Sequence, residues 1–204
     1  MSDSYEAIQH SESSWSHDSV WGLNAIDNAR VFHDHLIRSG ALAEDDVFAD
    51  FGGNDGTVAA QWQQWNMAMG WPATKALSVD MDSIKQHKGK NLYPSVEFVN
   101  GRLESIGLPD AWVDWGYCSH TLEHVEDVAA AFAEIARVTA RGLYVVVPVE
   151  TDAFRLEYNP AHLRASEDIE QWKAWLNHPD MTLHLWGKPL SKNEFHLLFT
   201  KAQP

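Results

Sequence analysis

Two acidic residues and a group of glycines are spaced in a way that suits the binding of a sugar-containing ligand. Asp50 ends a short apolar run and is followed by Gly52, Gly53 and Gly56. Glycine has no Cβ and accepts positive φ angles, so such a turn lets the backbone approach a ligand closely. Asp80 ends the next apolar run, where its carboxylate can accept hydrogen bonds from both hydroxyls of a ribose. A glycine-rich turn alone is more often an ordinary tight turn, but its combination with Asp80 is much more specific.

A second group of polar side chains follows a later candidate strand. His120 is a candidate general base, because imidazole titrates near neutral pH. The alternative is that His120 only hydrogen-bonds a loop carbonyl. Glu123 and His124 are predicted to fix the same loop and to cap the helix that follows it. These three residues could also be combined into a metal site, but we predict no metal site in this chain.

The segments that carry these residues alternate between strand and helix. The predicted strands are apolar runs bounded by turn-forming residues, namely 47–50, 74–79, 96–99, 111–118 and 143–147. Helices are predicted over 24–39, ending at Gly40, over 57–69, and from Val128 onward, where apolar residues recur at helical spacing. The sequence between the second and third strands is polar and turn-prone. Strands that alternate with helices predict an α/β fold with a doubly wound sheet.

The C-terminal part departs from this alternation. A helix is predicted after Ser166, and two late strands, 182–186 and 194–200, are predicted to form an antiparallel hairpin at the edge of the sheet. The complete prediction is therefore a mostly parallel, seven-stranded sheet with helices on both faces. Ligands of open parallel sheets bind beyond the carboxyl ends of the strands, so Asp50, Asp80, Arg102 and residues 118–124 are expected at one rim.

The sequence resembles the class I (Rossmann-like) S-adenosylmethionine-dependent methyltransferases. Their first two motifs are matched by residues Val47–Gly56 and Leu77–Asp80. In that family an apolar strand is followed by acid, x, Gly, x, Gly, x, Gly, and the second strand ends in an acid that binds the cofactor ribose. Asn54 stands where the family has its middle glycine. Asparagine tolerates left-handed geometry better than other non-glycine residues, so the turn can be retained.

The resemblance continues to Pro148. Residues 100–104 occupy the place of the family loop that surrounds the adenine, and residues 114–125, the next helix and the strand ending in Pro148 resemble the region from the fourth to the fifth strand. His120 then lies beside the expected methyl position. The resemblance implies S-adenosylmethionine as cofactor, bound by Asp50, Gly52, Gly53, Asn54, Gly56, Asp80, Met81, Arg102, Leu103 and Cys118.

We interpret the whole chain, 1–204, as one methyltransferase domain. Residues 1–23 are polar and serine-rich and are expected to be flexible or to act as a lid, 47–148 to bind the cofactor, and 149–204 to supply a substrate-side insertion and the final hairpin. The predicted reaction is the transfer of a methyl group, by in-line displacement, to a small-molecule or sugar-containing acceptor. One alternative is a cofactor-binding protein without transfer activity that serves as a regulator or partner. Another is a nicotinamide-dependent oxidoreductase, although Gly52, Gly53 and Gly56 lack the spacing of its fingerprint.

Composition limits the partners. The chain has 15 Lys and Arg against 29 Asp and Glu, a formal net charge of −14, so polyanions such as nucleic acids and anionic membranes are repelled. The single cysteine, Cys118, excludes an internal disulfide and is compatible with a reducing compartment. The start of the chain has no signal-peptide pattern, and no apolar run is long enough to span a bilayer. We therefore expect a cytoplasmic protein with a small-molecule substrate; its oligomeric state is not evident from the sequence.

Overall fold

The computed structural model describes residues 20–71, 74–187 and 193–201, and the side chains of 20–22 and 185–187 are not considered. It contains a seven-stranded sheet of order β3-β2-β1-β4-β5-β7-β6. The strands are β1 (Phe48–Phe51), β2 (Ala76–Asp80), β3 (Glu97–Asn100), β4 (Val113–Ser119), β5 (Thr139–Pro148), β6 (Met181–Gly187) and β7 (Glu194–Lys201). Most of the predicted segment 1–23 lies outside the described residues.

Helices connect the strands. They are α1 (Val20–Ser39), α2 (Thr57–Ala68), α3 (Ser83–Leu92), α4 (Val128–Val138), α5 (Asp152–Tyr158) and α6 (Ile169–Trp175). Gly40 follows α1 with a φ of 69°, the left-handed geometry predicted for its cap. None of the helices in the described residues is both long and apolar enough to cross a membrane.

The first five strands are parallel, and the last two are antiparallel to their neighbours. β1 pairs with β2 on one side and with β4 on the other, so the order of the strands reverses between β1 and β4. β7 lies antiparallel between β5 and β6. The predicted mostly parallel sheet with an antiparallel C-terminal hairpin is confirmed. Its switch point places the carboxyl ends of β1 and β4 side by side, where ligands bind in open α/β sheets.

Each face of the sheet is covered by its own apolar core. One core is centred on β5 and α4 and includes Phe132 and Trp172, and the other packs α1 and α2 against the sheet through Phe32 and Trp62. All four of these side chains are 0–1% exposed. Burial on both faces explains why β1 and β5 read as nearly continuous apolar runs in the sequence.

Two helices were not predicted from the sequence. Helix α3 begins after Asp82, whose carboxylate accepts hydrogen bonds from the N–H groups of Ile84 and Lys85, both at 3.0 Å. Only Gln86 and Gly89 of this helix are buried, so α3 has no apolar stripe that a periodicity search could find. Helix α5 has no buried residue at all. Both helices therefore lack the pattern on which the prediction depended.

Candidate functional site

The glycine-rich turn after β1 folds back against the end of β2. The N–H groups of Gly52 and Gly53 both donate hydrogen bonds to the carbonyl oxygen of Val79, at 2.8 and 3.2 Å. Gly52 has a φ of 83°, Gly56 of 80° and Asn54 of 54°, all in the left-handed region. The asparagine in place of the middle glycine therefore adopts the geometry that the sequence predicted it could tolerate.

Gly52 also lies against the loop that follows β4. A Cβ atom added to Gly52 would stand 2.1 Å from Oγ1 and 2.4 Å from Cγ2 of Thr121, which leaves no room for a side chain. The Thr121 hydroxyl is held in turn by a 3.0 Å hydrogen bond to the carbonyl oxygen of Ser119. The glycine thus allows the β1 turn and the β4 loop to meet at the switch point of the sheet.

Asp80 connects the glycine-rich turn to the start of α3. Its Oδ2 accepts a 2.9 Å hydrogen bond from the N–H of Asn54, and its Oδ1 accepts a 2.8 Å hydrogen bond from the N–H of Asp82. Burial raises the pKa of Asp80, although both hydrogen bonds act in the opposite direction. A carboxylate offers about four lone pairs, so each oxygen retains the capacity to accept from a ligand hydroxyl.

A cleft opens between this turn, the ends of β2 and β3, and the β4 loop. Five of the residues predicted to bind the cofactor line it, which are Gly52, Asp80, Met81, Arg102 and Leu103. The remaining lining residues are Gly101, Glu104, Thr121, His124 and Val125. The turn, the acid after the second strand and the loop predicted to surround the base therefore face one common space.

The loop after β3 gives one wall of this cleft. Leu103 is 5% exposed and belongs to the core on that face of the sheet. Arg102 is half exposed, and its Nη2 lies 3.4 Å from Glu104 Oε1 and 3.5 Å from Glu126 Oε2. The wall thus combines an anchored apolar side chain with a charged side chain at the rim.

Three predicted cofactor-binding residues lie beneath the turn or in the core rather than along the cleft. A Cβ on Gly53 would stand 2.9 Å from Oδ2 of Asp50, so the buried Asp50 carboxylate supports the turn from below. Burial, together with the charges of Asp80 and Asp55, raises the pKa of Asp50 well above its ordinary value. Cys118 is 1% exposed, and burial raises the pKa of its thiol. Its side chain is part of the apolar core.

Gly56 and Asn54, which were also predicted to bind the cofactor, do not line the cleft. A Cβ on Gly56 would stand 2.7 Å from the ring of Phe98, so this glycine provides close packing between the start of α2 and β3. Asn54 contributes through its backbone N–H, which binds Asp80. These two residues shape the turn.

His120 lies in the loop after β4 between two buried carboxylates. Its Nε2 lies 2.8 Å from Glu194 Oε1, and its Nδ1 lies 3.4 Å from Glu123 Oε1. Burial alone would lower the pKa of His120, but the hydrogen bonds and charges of the two carboxylates outweigh it and raise the pKa to about 9. The ring is therefore protonated at neutral pH and acts as a hydrogen-bond donor. His120 itself is not among the residues that line the cleft.

Thr121 and Val125 line the cleft although the sequence analysis named neither as a site residue; Thr121 falls within the segment 118–124 that was expected at the rim, and Val125 follows it. Nothing in their chemistry distinguishes them from other loop residues. The available signal was positional, because both belong to the segment that follows β4 at the switch point. Thr121 in particular is the residue that meets Gly52.

Comparison with known protein families finds one match in this part of the chain. Residues 50–147 match the model of a family described as a methyltransferase domain. The matched region runs from Asp50, one residue before the end of β1, to Val147, one residue before the end of β5, and thus includes the turn, Asp80, the β3 loop and the β4 loop. A comparison with curated proteins finds no match.

Many solved structures share the fold. A SAM-dependent methyltransferase from Aquifex aeolicus aligns with a TM-score of 0.63 and 15% identity over 98% of both chains. Magnesium protoporphyrin IX methyltransferase from Synechocystis PCC 6803, solved with bound SAH, aligns with a TM-score of 0.65 and 11% identity over 98% of this chain and 94% of that one. The [4+2]-cyclase SpnF aligns with a TM-score of 0.72 and 15% identity over 94% of this chain and 86% of that one. At these identities the similarity shows the fold.

Proposed function

We propose that residues 50–147 of this chain form a methyltransferase domain of the class I, S-adenosylmethionine-dependent type, and that this domain uses the cleft beside Gly52 to transfer a methyl group to a small molecule. The observation that carries this proposal is the convergence of Gly52, Asp80 and Leu103 on one cleft at the switch point of the sheet. These residues come from three separate segments of the sequence.

The residues present suit the cofactor. The Asp80 carboxylate, already held at both oxygens by backbone N–H groups, would accept hydrogen bonds from the ribose hydroxyls. Leu103 and Arg102 would hold the adenine, and the backbone at Gly52, where a side chain would collide with Thr121, would hold the amino acid part of the cofactor. When bound, S-adenosylmethionine supplies a methyl group on a positively charged sulfur, which is an activated electrophile.

The chain itself contributes positioning and exclusion of water. In-line displacement requires the acceptor atom, the methyl carbon and the sulfur to be aligned, and holding them so can supply much of the catalysis. Thr121 and His124 line the cleft from the β4 loop and are placed to contact an acceptor. We assign His120 to holding this loop, because its ring is engaged by Glu123 and Glu194. These contacts support a structural role rather than that of general base, although the partners of the ring are two carboxylates and not the loop carbonyl considered from the sequence.

The acceptor is proposed to be a small molecule, with a sugar-containing compound as one candidate. A formal net charge of −14 disfavours polyanionic acceptors such as nucleic acids. We also propose a cytoplasmic setting, which suits the single, buried and unpaired cysteine, Cys118.

A cofactor-binding protein without transfer activity is an alternative that the comparisons do not favour but that an assay can test. The fold is shared with a [4+2]-cyclase, so the fold alone does not determine the reaction. The nicotinamide-dependent alternative is not favoured, because the family match is to a methyltransferase domain.

A turnover assay separates these functions. The protein is incubated with S-adenosylmethionine carrying a labelled methyl group and with fractions of a small-metabolite extract, and both label transfer and formation of the demethylated cofactor are measured. We expect both products to appear in at least one fraction and to require the protein. Cofactor binding without turnover in any fraction would favour the inactive alternative, and no binding of the cofactor would contradict the proposal.

A further inference from the structure

Two histidines and a glutamate meet beside the cofactor cleft. Glu123 and His124 belong to the β4 loop, and His162 belongs to the segment that follows α5. All three are buried, and one potential ligand atom from each lies within 4.8 Å of the others. His124 also lines the cleft with Gly52 and Asp80. The sequence analysis predicted no metal site, and it did not consider His162.

Hydrogen bonds orient the two imidazole rings. His124 Nδ1 lies 3.1 Å from the carbonyl oxygen of Ala161, and since a carbonyl can only accept, Nδ1 carries the proton in this contact. His162 Nδ1 lies 2.7 Å from Glu150 Oε2, and the other oxygen of Glu150 accepts a 2.7 Å hydrogen bond from Asn159. In the neutral form of each ring, Nε2 is then the nitrogen with the lone pair. A carboxylate or carbonyl on the far nitrogen is the usual support of a metal-binding histidine.

Glu123 provides the negative charge. Its side chain is 0% exposed, and the described residues give it one ion pair, with His120, whose Nδ1 lies 3.4 Å from Oε1. The protonated His120 ring, which is shared with Glu194, offsets part of the free-energy cost of burying the Glu123 charge. The Glu123 carboxylate also faces the imidazoles of His124 and His162, so it can supply an oxygen ligand to a metal ion.

The two segments that carry the ligands are fastened to each other. The N–H of Leu163 donates a 2.7 Å hydrogen bond to the carbonyl oxygen of Glu123. The Arg164 guanidinium donates to the carbonyl oxygens of Leu122 at 2.7 Å and Val125 at 2.6 Å. These contacts hold His162 next to Glu123 and His124 without the help of an ion. The arrangement is therefore organised in advance of binding.

We propose that Glu123, His124 and His162 bind a divalent transition metal ion of the zinc class. Two imidazole nitrogens and one carboxylate oxygen are a ligand set of catalytic zinc sites, in which a fourth position stays open. Ligand atoms around such an ion lie about 3.3 Å from one another. Movements of about 1 Å by the three side chains would therefore bring their ligand atoms to the spacing that the ion requires. The His162 side chain is 8% exposed and so is not fully closed off from solvent, which leaves a route for the ion.

The position of the ion suggests what the acceptor carries. Because His124 lines the cofactor cleft, a bound ion would lie next to the space that an acceptor must enter. A small molecule that presents a hydroxyl or carboxylate oxygen would be bound and oriented there. This second step rests on the proposed function, whereas the binding of the ion does not.

The test measures metal binding in the absence of any methyl donor. The tag-free protein is treated with a chelator and desalted, and Zn²⁺ is titrated into it by calorimetry; Co²⁺ is used in parallel, because its visible spectrum reports tetrahedral coordination. We expect one equivalent to bind. Glu123→Gln and His162→Ala should each weaken binding at least about ten-fold. His87→Ala, which changes an exposed histidine on α3, is the matched control and should bind as the parent does.

Thermal unfolding identifies variants that merely fail to fold, and His162→Gln replaces His162→Ala should the latter unfold. The absence of stoichiometric Zn²⁺ binding by the parent protein would overturn the proposal. Binding that is unchanged in Glu123→Gln and in the His162 variants would overturn it as well. A titration of the same samples with S-adenosylmethionine distinguishes failure of this site from failure of the proposed function.

Discussion

The backbone N–H of Asn54 donates a 2.9 Å hydrogen bond to Oδ2 of Asp80, which joins the glycine-rich turn to the acid that ends the next strand. The contact links residues 26 positions apart in the sequence. It fixes the carboxylate at the edge of the cleft, where a flexible side chain would have to lose rotamer freedom on binding a ligand. Because the donor is a backbone N–H, any residue except proline at position 54 could make this contact.

Replacing Gly52 tests whether the approach of the turn to the β4 loop requires glycine. Gly52→Ala should lower the free energy of unfolding by about 2 kcal/mol or more, because it adds left-handed backbone strain to a collision with Thr121. Gly40→Ala is the matched control, with a φ of 69° and nothing within 4 Å of the added Cβ. Gly40→Ala should therefore lose only the free energy of left-handed backbone strain, about 1 kcal/mol. Urea unfolding measures both, and equal losses would show that Thr121 does not restrict the turn.

Replacing His120 separates positioning from base catalysis. His120→Gln leaves Glu123 and Glu194 buried without their shared cation, so the free energy of unfolding should fall by roughly 3 kcal/mol. Glu194→Gln in the same chain should restore part of the loss, since it removes one of the two stranded charges. Denaturant unfolding of the single and double variants measures the coupling free energy between His120 and Glu194. A general base without a structural role would instead lose turnover at unchanged stability.

Replacing Asp50 changes how stability depends on pH. The pKa of Asp50 is raised in the folded protein, so the folded state keeps a proton that the unfolded state loses above its ordinary pKa of 3.8. The free energy of unfolding therefore falls as pH rises from that value to the folded pKa, and stays lowered above it. Asp50→Asn removes this dependence and should stabilise the protein at pH 7 relative to the parent. Thermal unfolding of the parent and of Asp50→Asn, from pH 4 to 8 and without cofactor, measures this difference. The same loss of stability with rising pH in the two proteins would contradict a raised pKa for Asp50.

Much of the fold was predictable from the sequence, because its central strands are buried on both faces. β1, β2 and β5 appear as apolar runs that end at Asp50, Asp80 and Pro148 or close to them, and turn-forming residues follow. Helix α3 was missed because its stability comes from the Asp82 cap and from only two buried residues. Local patterns predict elements that bury an apolar face and miss those that do not.

The candidate site was predictable only in part for a related reason. Gly52 and Asp80 belong to motifs with fixed local spacing, and both line the cleft. His162 lies far along the chain from Glu123, and the two are brought together by the hydrogen bonds of Leu163 and Arg164 to the β4 loop. No pattern in the sequence encodes those backbone contacts. The role of His120 likewise depends on Glu194, which comes from β7.

The central claim is that one cleft holds the cofactor between Gly52 and the Asp80 carboxylate, and calorimetric titration with the demethylated cofactor, S-adenosylhomocysteine, tests it most directly. The parent protein and Asp45→Ala, which changes an exposed acid before β1, should bind with the same dissociation constant. Asp80→Ala should bind at least about ten-fold more weakly, since it loses charge-assisted hydrogen bonds. No binding by the parent protein, or equal binding by Asp80→Ala, would contradict the account.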